Sequence, residues 1–270
     1  MINISHCASI ILCLHLAALY AFCDDSDLIP QLRKLPSVHS VKSTPIKTKP
    51  KQIIIHLLNW HFVSKEDFAS DLSDASDKEL SEAEIEKEYL EFLNDVEVVQ
   101  KEQKQILRYL IKHHMVQTVY MEGLTEKNLS VFNSFIKTLR EFEVPDGDGA
   151  FDLFFKEQYR RDCLQMGAAQ LLINRQLESV LPLENAEAFE AANPVGKDGK
   201  IRFDKSTEEK REDEMVKILM KGLGIKVIVL GGGHDLTGSI KRMKLDSVWY
   251  VRVSGKQYER KSIHSENKHE

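Results

Sequence analysis

Four short stretches of this chain set chemistry-bearing side chains just beyond apolar runs. Trp60-His61 follows residues 52–58 (QIIIHLL), and Glu122-Gly123 follows residues 117–121 (QTVYM). Glu184-Asn185 follows residues 179–183 (SVLPL), and Gly231-Gly232-Gly233-His234-Asp235 follows residues 226–230 (KVIVL). Two neutral imidazoles with one or two carboxylates form a ligand set suited to Mn, Co, Zn or Fe. A metal held by His61, Glu122 and His234 would lower the pKa of a bound water and polarise a carbonyl, with Glu184 as ligand or base. Without a metal the same groups suit acid–base chemistry, an imidazole as base and a carboxyl as acid or orienter. Gly232 and Gly233 let the backbone turn sharply and approach a ligand closely. No Lys-Ser/Thr follows them and no GxGxxG spacing is present, which speaks against a phosphate loop. Trp60 beside His61 could wall a pocket or stack on an aromatic ligand. Each residue has a plain structural reading when taken alone, such as a hydrogen-bonded histidine or a glutamate capping a turn. Their recurrence at four successive run ends is what makes them a candidate site.

The elements that must position these residues follow from hydrophobic periodicity. The β-branched runs at 52–58, 117–121 and 226–230 read as strands buried on both faces. Residues 247–253 (SVWYVRV) alternate and read as a strand nearer an edge, and Pro182 confines 179–183 to an edge or an end. Helical spacing marks 81–93, 95–114, 129–142, 151–177 and 205–223, the last closed by Gly222 and Gly224. Strands alternating with long helices imply an α/β fold: a mostly parallel central sheet with helices on both faces. The helices between Leu129 and Leu223 are expected as an insertion covering the strands' C-terminal rim, where such sheets bind ligands.

The remaining titratable residues have quieter readings. His56 lies within the first strand as a core or sheet-face histidine, and His113-His114 close a helix where the dipole favours positive charge. The acidic stretch 71–88 reads as a solvated helix start, because it lacks EF-hand spacing. Arg160 and Arg161 read as surface residues. Lys and Arg number 37 against 42 Asp and Glu, so no basic field points to nucleic acid.

The ends read differently from the middle. Residues 8–22 form an uncharged apolar run of 15, too short to cross a bilayer but suited to a secretory signal. A cut after Cys23 would remove Cys7, Cys13 and Cys23 and leave Cys163 alone, read as a small buried hydrophobe. The chain is thus expected to be exported, periplasmic or extracellular, with lipid anchoring through Cys23 as an alternative. The expected organisation is a signal peptide at 1–23, a Pro/Ser/Lys tether at 24–50, a single α/β domain at 51–255 and a polar tail at 256–270. No transmembrane segment is expected in the mature chain.

The blocks IIIHLLNWHFVSKEDF, VVQKEQKQILRYLIKHHMVQTVYMEG and KVIVLGGGHDLTGSI resemble the superfamily that joins TraB/Tiki proteins, ChaN-like haem-binding lipoproteins and erythromycin esterases. The resemblance spans residues 52–254 in blocks and implies a mixed α/β fold. It implies a site built from a histidine after the first strand, a glutamate after the second and a Gly-His turn after a later one. Those positions fall on His61, Glu122 and His234. MGAAQLLINRQLESVLPLEN is similar to the ChaN-like branch and implies a further carboxylate at Glu184. The first motif here reads Asn59-Trp60-His61, without the leading glycine.

Three functions follow as expectations. One is a metal-dependent hydrolase acting on an ester or peptide bond of a small-molecule or peptide substrate, with a metal-free esterase variant of the same site. A second is an extracytoplasmic haem or iron binder without turnover, with Trp60 flanking His61 as axial ligand. The third is a binding module with a decayed site.

Overall fold

The computed structural model describes residues 27–45, 49–74, 80–194 and 202–260. The signal peptide, Cys7, Cys13, Cys23 and the last ten residues of the tail lie outside them. Six strands form one sheet: β1 (Val38–Ser43), β2 (Gln52–Asn59), β3 (Thr118–Thr125), β4 (Ser179–Glu184), β5 (Gly224–Gly231) and β6 (Val248–Gly255). Their order is β1-β6-β2-β5-β3-β4. All neighbouring pairs are parallel except β1 with β6. The fold is α/β, as the alternation of strands and helices implies. The glycine-rich strand β5 lies between β2 and β3, so the ends carrying His61, the Gly-His turn and Glu122 are neighbours.

Helices pack on both faces. One face is covered by α1 (Leu28–Arg33), α3 (Glu82–His114), α4 (Leu129–Glu141) and α6 (Gln170–Ile173). Leu28, Leu32, Leu107, Leu110, Ile136 and Leu171 there meet Ile53, Ile55, Leu57, Val227 and Val251. The other face is covered by α8 (Lys205–Leu219) and α9 (Thr237–Arg242), whose Met215, Val216, Leu219 and Ile240 meet Ile54, Ile228 and Leu230. Strand β2 is buried along its first seven residues because alternate side chains feed both cores. Among the described residues no helix is long and apolar enough to cross a membrane.

The cover over the rim includes the expected helices between Leu129 and Leu223 and also draws on residues ahead of them. The two helical segments foreseen at 81–93 and 95–114 are one helix of 33 residues. Asn94 and Asp95 do not interrupt it, because their propensity cost of a few tenths of a kcal/mol yields to packing on both sides. Ser81 and Glu84 start it with a reciprocal capping box, and Met115 ends it at φ 51°. Such a helix is about 50 Å long, against about 26 Å for a strand of eight residues. Its first half therefore overruns the rim. There Tyr89, Leu93 and Val96 pack with Leu164 of α5 (Ala150–Gln165), and Phe62 and Phe68 pack against them. Phe68 belongs to α2 (Lys65–Asp74). This side of the cover thus comes largely from residues 62–74 and 80–99, ahead of Leu129. The other side comes from α7 (Ala186–Ala191) and α8.

Within the expected tether, residues 27–43 form structure. Helix α1 buries Leu28, Ile29 and Leu32, and β1 extends the sheet as an antiparallel edge. Pro30 is tolerated because the amides of a first helical turn have no partner within the helix. In β1 a register shift between Val38 and Ser40 puts the buried valines at 38 and 41, which erases the period-two signal. Strand β6 is consequently interior. The tail also starts as structure: residues 256–260 are helical, and the Gln257 side chain donates to Asp95 at 2.7 Å. Replacing Leu32, fully buried in α1, by alanine should lower the unfolding free energy by roughly 2–5 kcal/mol. Urea denaturation would measure this, and a loss under about 0.5 kcal/mol, the surface value, would restore the tether.

Candidate functional site

Strand register explains how the site residues converge. Asn59 of β2 pairs with Gly231 of β5 as the last residues of that ladder. His61 and His234 therefore leave the sheet two and three residues beyond adjacent positions. In β3, Met121 is the last residue paired with β5, and the ladder to β4 breaks between Met121 and Thr125. Gly123 takes φ +74° in that break, a conformation that side chains rarely adopt. Glu122 is thereby released from the ladder at the rim.

Glu122 is the hub. Its Oε2 accepts the Gly231 N–H at 2.6 Å and lies 3.4 Å from His61 Nε2. Its Oε1 lies 3.2 Å from both His234 Nε2 and Arg211 Nη2. Burial by itself would raise this carboxyl. The His234 hydrogen bond, the charge of His61 and the Gly231 amide outweigh it and hold the pKa down at about 2. Burial likewise disfavours a charged His234, but hydrogen bonds to Glu122 and Glu212 raise its pKa to about 9. At neutral pH the pair is ionic, carboxylate against imidazolium. The second nitrogen of His234, Nδ1, faces Glu212 Oε1 at 3.2 Å.

Arg211 was not foreseen. It lies on α8 with its side chain 10% exposed. Its Nη2 donates to Glu184 Oε1 at 2.6 Å and its Nε to Glu184 Oε2 at 3.2 Å, a forked pair. The guanidinium carbon sits 5.0 Å from the centre of the Phe189 ring. In sequence Arg211 is one more charge in KSTEEKREDE, whose even spread of charge resembles a solvated face. Only its spacing ahead of Met215, Val216 and Leu219 hints that it points inward. Glu184 takes a different role from the ligand or base expected of it. Its side chain is fully buried, both oxygens bind Arg211, and Oε1 also accepts the N–H of Gly123, the residue after Glu122, at 3.5 Å.

The glycine turn makes room for this cluster. A Cβ on Gly231 would come within 2.6 Å of His61 Nε2 and 3.3 Å of Glu122 Oε2, and one on Gly232 would collide with the Tyr258 hydroxyl. Gly233 has open space around it. The turn is tied beneath to His56. Its Nε2 lies 2.9 Å from the Leu230 carbonyl and must donate there, so Nδ1 accepts the Tyr250 hydroxyl at 2.7 Å. The Leu236 N–H in turn donates to that hydroxyl at 3.4 Å. His56 is thus the core histidine expected, and it fixes both ends of segment 231–236.

His61 is the accessible member, with its side chain 58% exposed. Three cavities meet at it. One of 290 Å³ runs inward past Phe62 and Met121, and one of 760 Å³ opens toward Arg211 and Phe189. The third, of 420 Å³, is lined by Trp60, Gly232, Gly233 and His234, with the Trp60 and Tyr258 rings 6.1 Å apart. Trp60 and both glycines therefore line a cleft together with the two histidines. Cys163 stands apart on α5, half-buried, its thiol pKa raised by burial.

The donor set does not fit a divalent ion. Both oxygens of Glu122 are occupied, and both oxygens of Glu184 face the fixed cation of Arg211. A metal at His234 would have to displace the proton that its nitrogens share with Glu122 and Glu212. Among the described residues no group of three or more His, Cys, Asp or Glu is arranged to hold a metal ion. Haem is also a poor match on the Trp60–Phe62 side, where 290 Å³ lies at the lower end of small-molecule sites. No protein-family model, curated protein or solved structure matches the chain.

Two outcomes are expected. Replacing Arg211 by methionine leaves buried carboxylates unpaired and should cost roughly 3–5 kcal/mol in a denaturant titration; a neutral result would mean that the guanidinium is dispensable. His56 is held neutral by burial, its pKa lowered from 6.5 to about 4. Its contribution is therefore complete above pH 6.5 and is lost as the pH falls toward 4, about 3 kcal/mol in all. A His56→Gln variant should show a shallower stability slope between these values, and an unchanged slope would place the acid sensitivity elsewhere.

Proposed function

We propose that this chain is a hydrolase of the type shared by TraB/Tiki, ChaN-like and erythromycin esterase proteins, cleaving an ester bond without a metal at His61. The observation that carries this reading is an exposed imidazole with one nitrogen facing a buried carboxylate and cations behind it. With the Nε2 proton of His61 directed at Glu122, its Nδ1 is free to take a proton from water. Water then adds to the carbonyl carbon, and the His234 imidazolium in the same cleft offsets the negative charge that develops on oxygen. Collapse expels the alcohol, which recovers the proton from His61. Arg211 and Glu184 hold Glu122 and His234 in place. Export, read from residues 8–22, belongs to the same proposal.

Metal-dependent hydrolysis has one observation in its favour: Glu122, Glu184, Glu208 and Glu212 outnumber Arg211 and the His234 imidazolium around the cluster. A surplus of carboxylate attracts cations. Esterase assays after exhaustive treatment with chelator separate the two readings. Activity should persist, and His61→Ala should lower kcat/KM by about 10²–10⁴-fold, the usual worth of a general base. Loss in chelator with recovery on adding Mn, Co or Zn would replace this reading with the metal-dependent one. A shift in the haemin absorption spectrum with no hydrolysis would point to the haem binder.

A further inference from the structure

We propose that the outer cleft at His61 binds an uncharged, ring-bearing apolar group of the substrate, larger than a single phenyl ring. This rests on hydrolysis at His61 and gives it a substrate class. The cleft is lined by His61 together with Ala186, Phe189, Ala192, Pro194 and Phe203, and most of the surface it exposes is apolar. Its 760 Å³ exceeds the volumes of the other two cavities that meet at His61 and falls in the range of small-molecule sites. A cavity of about 150 Å³ already accepts benzene, so the cleft has room for fused rings.

The phenylalanines of this wall gain little from the fold. Helix α7 buries none of its residues. Its start is held by Asn185, whose side chain accepts the Glu187 and Ala188 N–H groups at 3.0 and 3.1 Å. Phe189 on this helix is 37% exposed, although its ring packs on the Arg211 guanidinium. Phe203, just ahead of α8, is 81% exposed. Apolar surface left in water beside an accessible imidazole is surface that a ligand would cover. Several polar residues of the cleft are already engaged. Asn128 accepts the Thr125 N–H at 2.7 Å and donates to the Gly123 carbonyl at 3.0 Å. Arg211 is held by Glu184 and Glu122, and Glu208 lies 3.9 Å from it. Lys127 and Glu190 are exposed and opposite in sign, so together they select no charge on the ligand. Such a wall suits neutral hydrocarbon, and rings gain more there than chains because they stack on phenyl side chains.

The test has two readouts. The first is kcat/KM in two ester series. Ethyl propanoate is compared with ethyl phenylpropanoate and ethyl naphthylpropanoate, and ethyl acetate with phenylethyl and naphthylethyl acetate. Two carbons insulate each ring from the ester, so intrinsic reactivity changes little within a series. In at least one series the naphthyl ester should exceed the ring-free ester about 10- to 100-fold, the worth of burying one large apolar group. The phenyl ester should fall between them. The second readout is calorimetric binding of naphthylpropanamide to the His61→Ala protein, which does not depend on turnover. Phe203→Ser removes an exposed wall without disturbing the core. Ala186→Glu brings a charge to the cleft at the first position of α7, where the helix dipole favours it. Either should lower the naphthyl-to-ring-free ratio, and the amide affinity, by roughly two- to tenfold, the worth of one aromatic pair. Amide binding that either variant weakens, with no ester hydrolysed, would keep the cleft and remove the hydrolase reading. Hydrolysis indifferent to the ring in both series, or amide binding absent or unchanged by both variants, would overturn the cleft.

Discussion

A guanidinium withdrawn from water must be surrounded by acceptors, and the fork between Arg211 and Glu184 is where this structure meets that demand. Removing either partner alone would leave a charge buried without compensation, so the two residues fix each other. Their union sets the distance between α8 and the end of β4, and it places the second hydrogen of Arg211 Nη2 against Glu122. Glu122 in turn gathers the Gly231 amide, His234 and His61. The arrangement of the rim descends from one forked ion pair.

That dependence explains the asymmetry of the site. On the α8 side the groups are charged, paired and largely buried, and they have little freedom to move toward a ligand. His61 is the exception: it follows the end of β2, is more than half exposed, and touches the cluster through one nitrogen only. Rigid charges behind a single accessible base suit chemistry in which the protein stabilises charge without reorganising. They suit metal capture less, because a metal would have to displace hydrogen bonds already made. The buried His56–Tyr250 pair beneath the glycine turn extends the same rigidity to the backbone that carries His234.

Much of this was legible in the sequence, for identifiable reasons. Strands β2, β3 and β5 announce themselves because β-branched residues buried on both faces leave an unbroken apolar run. Parallel order then brings their ends together, so His61, Glu122 and His234 were found without knowing any contact. Arg211 was hidden because a buried arginine in a charge-rich helix looks the same as a solvated one until its partners are placed. Glu184 was found in position but not in role, since a strand-end carboxylate reads alike whether it faces a ligand or a guanidinium. Segment 27–43 was missed because two prolines and a register shift in β1 removed the periodicity that a reading of hydrophobic pattern needs. The part of the rim cover that comes from ahead of Leu129 is hidden for a similar reason: Asn94 and Asp95 look like a break, and only tertiary packing shows that the helix passes through them.

The most direct test of a charge-filled, metal-free centre is calorimetric titration of the protein with Mn, Co and Zn beside a His61→Ala/His234→Ala double mutant. The structure predicts no tight binding by the native chain, because Arg211 and the His234 imidazolium already occupy the carboxylates. Tight binding by the native chain that disappears in the double mutant would contradict the account and place a metal at the rim.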